Sequence, residues 1–137
     1  MSEPYVKVAD VMRTSLVMVS GLASVQDALD TMRQKGVSSL VIERRDEHDE
    51  YGVVTVRDIA ARVVSVNRST ARTSVYEIMT KPALTISADM NVKYAIRLLS
   101  RLSHSRALVT TGKKLEGLVT LRDLVLSGAS LDEDPQG

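Results

Sequence analysis

The residues best placed for chemistry occur twice, as Gly52-Val53-Val54-Thr55-Val56-Arg57-Asp58 and as Gly117-Leu118-Val119-Thr120-Leu121-Arg122-Asp123. Each run closes an apolar stretch and opens a helical pattern. Gly52 and Gly117 remove side-chain bulk, and Thr55 or Thr120 arrives at the helix start. Unpaired backbone N–H groups and the helix dipole favour an anion there. A threonine hydroxyl at that point can donate to a phosphate oxygen. Asp58 and Asp123, one turn on, are acceptors of the kind that hold the hydroxyls of a ribose. One corner therefore offers a phosphate contact and a ribose contact about a nucleotide's width apart. The same Thr-x-x-Asp spacing before an apolar run is also a capping box, which needs no ligand. On spacing alone both readings stand. The repetition favours the ligand, because both copies keep Gly, Thr, Arg and Asp in register while the apolar positions between them drift. A simple cap would tolerate Ser or Asn in one copy.

The elements that carry these corners are themselves duplicated. Met12 closes the run Val8-Ala9-Asp10-Val11-Met12, and Met79 closes Val75-Tyr76-Glu77-Ile78-Met79. At the same offset Val17 and Val19 fall on Leu84 and Ile86. Val25, Ala28, Leu29 and Met32 fall on Val92, Ala95, Ile96 and Leu99. The second copy is slightly shorter, and the loss lies in the loop before Gly117. Each copy predicts a short lead-in turn, a strand (Leu16–Val19 or Leu84–Ile86), an amphipathic helix, a second strand (Ser39–Glu43 or Ala107–Thr110), a third (Tyr51–Thr55 or Leu115–Thr120) and a last helix. Ser24 and Asn91 suit the N-cap role, Gly36 suits a helix stop, and Ser74-Val75-Tyr76-Glu77 suits a capping box. The predicted fold class is α/β (α+β): two tandem β-α-β-β-α units. The first spans residues 1–64, a polar linker 65–73, the second 74–128, and a disordered acidic tail 129–137. A copy of roughly sixty residues buries too little to stand alone. Packing the two copies sheet to sheet would bury both exposed apolar faces and leave two related clefts at strand ends.

Composition narrows the function. The chain has 137 residues, 44% hydrophobic and 26% charged, with a net charge of +1. That balance gives no long-range field for gripping nucleic acid. With four Tyr and neither Phe nor Trp, it offers no stacking platform for single strands. The apolar runs are too short to span a membrane, and the N-terminus does not read as a secretory signal. Cysteine is absent, which excludes disulfides and thiolate metal sites and fits a cytoplasmic location. No nucleophile–base pair, metal cluster or Walker-type loop is found, so the reading is not an enzyme.

The Gly-h-h-Thr-x-x-Asp motif (h apolar), repeated and paired with Met-containing lead-in turns, resembles a CBS-domain pair, the stand-alone regulatory module named after cystathionine β-synthase. The resemblance covers roughly Val8 to Gly128. It implies two packed sheets with pseudo-two-fold symmetry, and adenosine ligands such as AMP, ADP or ATP, less often S-adenosylmethionine, in clefts that mix residues of both copies. By that resemblance Asp58 and Asp123 would bind ribose, and Thr55 and Thr120 phosphate. Thr14, Ser15, Leu16, Thr80 and Leu84, with Ser38, Ser39, Ser105 and Arg106, would line the adenine pockets. A flat homodimer is the implied assembly, with an unknown protein target and no cofactor.

Other residues are less specific. Arg106 stands where the first copy has Ser39 and could favour a di- or triphosphate in one cleft, or be a surface residue at a strand start. Arg57 and Arg122 could reach phosphate or a partner subunit, or simply lie on the helix surface. His104 and His48 read as solvated. The methionines read as packing, and the Glu43–Glu50 charge run as a solvated hairpin loop. Two functions from different classes follow: a non-enzymatic sensor of adenosine nucleotides that signals to a partner, or a dimeric interaction scaffold with empty clefts.

Overall fold

The computed structural model describes the backbone of residues 6–132 and the side chains of residues 6–127. The chain is mixed α+β. In order it forms β1 (Met18–Val19), α1 (Val25–Lys35), β2 (Ser39–Ile42), β3 (Gly52–Thr55), α2 (Val56–Ile59), β4 (Thr85–Ser87), α3 (Val92–Leu102), β5 (Arg106–Thr111), β6 (Lys114–Thr120) and α4 (Leu121–Asp132). Three-residue 3-10 turns, Val8–Asp10 and Val75–Glu77, lead into each repeat. Two three-stranded sheets result, ordered β1-β2-β3 and β4-β5-β6. In each the first pair is parallel, bridged by the long helix, and the second is an antiparallel hairpin.

The predicted helix signals act as local chemistry requires. Ser24 Oγ accepts from Asp27 N at 3.0 Å, and Asn91 Oδ1 accepts from Lys93 N at 2.8 Å. Gly36 closes α1 in the left-handed region at φ 67. Ser103 does the same for α3 at φ 56, without glycine's freedom. Val25, Ala28 and Met32 from α1 are buried with Leu40, Ile42 and Val54 from the first sheet. Val92, Ala95 and Leu99 from α3 are buried with Ala107, Val109 and Val119 from the second. Val41 and Val53, paired on the face away from the helix, are buried too, as are Leu108 and Leu118.

The compact units do not coincide with the sequence repeats. One unit is residues 16–83, and the other is residues 1–15 with 84–137. Each lead-in therefore joins the sheet of the other repeat. Val8 is buried in the core built by α3, β5 and β6, and Val75 in that built by α1, β2 and β3. The lead-ins also supply backbone. Arg13 pairs with Leu118 along the outer edge of β6, and Thr80 with Val53 along β3, which covers an edge that would otherwise be unpaired.

Three predicted segments differ in detail. The polar stretch 65–73 is tied to the start of α1: Thr73 O accepts from Val25 N at 2.8 Å, Thr70 O from Gln26 N at 2.9 Å, and Thr73 is buried. It satisfies helix donors that Ser24 alone cannot. The helix after β3 keeps α geometry only to Ile59 and passes into a π turn over Ala60–Val64. Helix α4 extends to Asp132, into the segment predicted as a disordered tail; residues 133–137 lie outside the described residues.

The charged hairpin loop is not simply solvated. Asp49 is only 11% exposed and meets Lys81 Nζ at 2.6 Å, as well as the backbone N–H and guanidinium of Arg45 at 2.8 and 3.1 Å. The Lys81 ammonium, then the Arg45 donors, hold the Asp49 carboxyl far below the usual carboxylate range. Arg44 stacks over the Tyr51 ring at 4.9 Å.

Candidate functional site

The two strand-to-helix corners lie in different compact units and are built alike. In the first, β3 ends at Thr55, and Val56 N donates to Ser38 O at 3.0 Å. Thr55 Oγ1 accepts from Asp58 N at 3.0 Å, and Asp58 Oδ2 accepts from Thr55 N at 2.9 Å. This is a closed capping box: the carboxylate turns back onto the chain that carries it. In the second, β6 ends at Thr120, and Leu121 N donates to Ser105 O at 2.8 Å. Thr120 Oγ1 accepts from Asp123 N at 3.0 Å, as in the first corner. Asp123 Oδ2, however, accepts from Arg13 Nε at 3.0 Å. Arg122 Nη1 stands 3.9 Å from Asp123 Oδ1. All four corner side chains are half-buried, open enough to meet a ligand and close enough to backbone to be oriented.

The strand that leads to each corner is flanked by the other repeat's lead-in. Gly117 lies so close to the first lead-in that a Cβ there would stand 2.6 Å from Arg13 O and 2.8 Å from Met12 Sδ. At Gly52 the nearest atoms, Ile42 Cβ and Thr80 O, would be 3.2 Å away. Both glycines thus admit a lead-in segment against the strand that ends at the corner, more tightly in the second case.

The other predicted residues distribute as follows. In register, Ser39 lies opposite Thr55 and Arg106 opposite Thr120. Ser38 and Ser105, exposed at the strand starts, give their carbonyls to the helix termini. Arg57 and Arg122 are exposed on the first helical turn. Thr80 is exposed beside Val53, and Thr14 and Ser15, which follow Arg13, are exposed. Leu16 is half-buried, and Leu84 packs against the core of its own unit. His48 and His104 are exposed. A groove of about 860 Å³, bordered by Gly21, Leu22, Tyr76, Met79 and the charged loop, opens at the far end of β3 from Thr55.

Sequence reasoning missed Arg13. The signal was available, since Arg13 follows Met12 as Thr80 follows Met79. Its meaning depends on the lead-in reaching the other repeat's corner, which no local pattern encodes.

Known proteins share this chain's sequence pattern and fold. The CBS domain family model matches residues 8–65 and 75–129. An uncharacterized protein of Methanopyrus kandleri is 31% identical over 122 residues, covering 88% of this chain; the chain spans 61% of that relative's length. The hexameric CBS-CP12 protein from bloom-forming cyanobacteria superposes with a TM-score of 0.90 at 32% identity, over 98% of this chain and 78% of that one. The CBS domain pair of protein MJ0100, in complex with 5′-methylthioadenosine and S-adenosyl-L-methionine, matches in fold, with a TM-score of 0.77 at 24% identity, over 93% of this chain and 99% of that one. Two family matches, one over each repeat, together with the two glycine-threonine-aspartate corners, place this chain in the CBS domain family as a tandem pair.

Proposed function

We propose that the protein is a non-enzymatic regulatory module that senses adenosine nucleotides (AMP, ADP or ATP, with S-adenosylmethionine as the rarer choice) at its two strand-to-helix corners and passes the signal to a protein partner. The observation that carries this reading is the second corner. There the Asp123 carboxylate faces a guanidinium instead of capping its own backbone, so helix capping does not account for it. Thr120 sits at the N-terminus of α4 with its hydroxyl held by Asp123 N, where phosphate is favoured. Asp123, 20% exposed, is presented for a ribose. The MJ0100 pair, whose ligands both contain adenosine, supports the ligand class.

Binding stabilises the folded state. Ligand at one hundred times its dissociation constant adds about 2.7 kcal/mol, which raises the melting midpoint by roughly 4 °C per kcal/mol for a chain of this length. Melting curves with and without each nucleotide test the proposal, and midpoints that do not move with any adenosine ligand count against it.

The interaction scaffold remains the second reading, favoured by the closed box at Thr55 and Asp58. Exposed Val56, Val64 and Val66 in one unit, and Val125 and Leu126 on α4 in the other, are apolar surface that a homodimer would cover. Light scattering giving twice the chain mass is the expected outcome. The cysteine-free chain is read as cytoplasmic.

A further inference from the structure

We infer that Arg13 is the specificity-determining residue of the second corner, and that it makes this corner take phosphorylated nucleosides in preference to nucleosides. The inference rests on the nucleotide reading above and adds to it the charge class of the ligand.

Arg13 is fixed at both ends. Its backbone N–H donates to Leu118 O at 2.8 Å, its carbonyl accepts from Leu118 N at 2.9 Å, and its Nε donates to Asp123 Oδ2 at 3.0 Å. The side chain is nevertheless 62% exposed, whereas Asp123 is 20% exposed. The guanidinium thus stands on the solvent side of the corner, with further N–H donors to offer beyond the one given to Asp123. A ribose that takes Asp123 displaces Arg13 from its carboxylate. A nucleoside offers the displaced guanidinium nothing in return. A nucleotide offers phosphate oxygens, whose geometry matches its donors. Exchange is balanced only when the ligand carries both halves, ribose for the aspartate and phosphate for the arginine.

The first corner lacks this device. Thr80 occupies the place of Arg13, pairing with Val53 as Arg13 pairs with Leu118. Ser39 occupies the place of Arg106, each opposite its corner threonine. At both flanking positions, then, the second corner has arginine where the first has a neutral hydroxyl residue. The first corner is expected to depend less on ligand charge.

The test is calorimetric titration with ATP and with adenosine, on the wild type, on Asp58→Asn, which restricts ribose binding to the second corner, and on Arg13→Thr and Thr80→Arg made in that Asp58→Asn parent. Arg13→Thr copies the first corner's residue at an exposed position, and melting curves verify that it folds. The expected result is a loss of about tenfold in ATP affinity, on the scale of one charge-assisted bond, with adenosine affinity unchanged or a few-fold higher because the competing ion pair is gone. Thr80→Arg leaves both affinities at this corner as they are. Equal losses for ATP and adenosine in Arg13→Thr, or no change for either, would overturn the inference while leaving the nucleotide reading intact. Wild-type protein that binds neither ligand would overturn both.

Discussion

At the first corner the Asp58 carboxylate accepts the N–H of Thr55 at 2.9 Å, and at the second the Asp123 carboxylate accepts from Arg13 Nε at 3.0 Å. The threonines behave identically, each accepting an aspartate N–H at 3.0 Å. Helix capping therefore explains both threonines and Asp58, whereas the Asp123 carboxylate is paired with a side chain. The cation that takes the Asp123 carboxylate, Arg13, stands where the first corner has Thr80, and each is contributed by the other repeat's lead-in. A duplicated scaffold can keep its backbone chemistry constant while one residue delivered from outside the repeat changes what the corner offers.

The largest expected effect comes from the tighter of the two lead-in contacts. Gly117→Ala sets a Cβ 2.6 Å from a backbone carbonyl that cannot turn away. It should cost about 3 kcal/mol, against about 1 kcal/mol for Gly52→Ala, where the contacts start at 3.2 Å. Urea unfolding of both variants checks the ratio, and equal costs would mean that the two lead-ins seat alike.

Next come the caps. Thr55→Ala and Thr120→Ala should each lose about 1 kcal/mol. Asp58→Ala should cost a similar amount, whereas Asp123→Ala should cost less than about 0.5 kcal/mol, since it breaks only a pair with an exposed partner. Equal costs for the two aspartates would erase the distinction drawn between the corners. The helix ends offer a parallel contrast. Ser103 holds the left-handed geometry at φ 56 that Gly36 holds at φ 67, so Ser103→Gly should add about 0.5–1 kcal/mol and Gly36→Ser remove about 1 kcal/mol. Thermal unfolding reads both signs.

A smaller effect separates the units by pH. The carboxyls of Asp49 and Glu77, both in the unit of residues 16–83, lie below their ordinary range. For Asp49 the Lys81 ammonium leads the causes, and for Glu77 the Ser74 backbone N–H, followed by the Arg68 guanidinium. A folded-state pKa below the unfolded one gives stability that is present at neutral pH and lost on acidification, from about pH 4 downward. Hydrogen exchange at decreasing pH should therefore show protection falling in that unit first, and Lys81→Met should lower that unit's protection at neutral pH while flattening its further loss on acidification. Simultaneous opening would count against it.

Much of this was legible in the chain. The repeat, the strand and helix order, the Ser24 and Asn91 caps and the Gly36 stop all rest on local periodicity and cap chemistry. The corners were legible as well, because Gly-x-x-Thr-x-x-Asp recurs in register. What escaped was non-local. Nothing near Val8 or Val75 says that each will pack in the other repeat's core. Arg13 looks like one more surface cation until its backbone pairs with Leu118 on β6. Asp49 looks solvated within its charge run, because the lysine that neutralises it, Lys81, lies far along the chain. The polar stretch 65–73 reads only as a linker, and nothing in its own pattern shows that Thr70 and Thr73 tie it to α1.

The most direct trial is isothermal titration of AMP, ADP, ATP and S-adenosylmethionine into the wild-type protein and into Asp58→Asn/Asp123→Asn. Saturable heat from at least one of these ligands, abolished in the double variant, is the predicted result. A wild type silent to all four, or a double variant that binds as well as its parent, would contradict it.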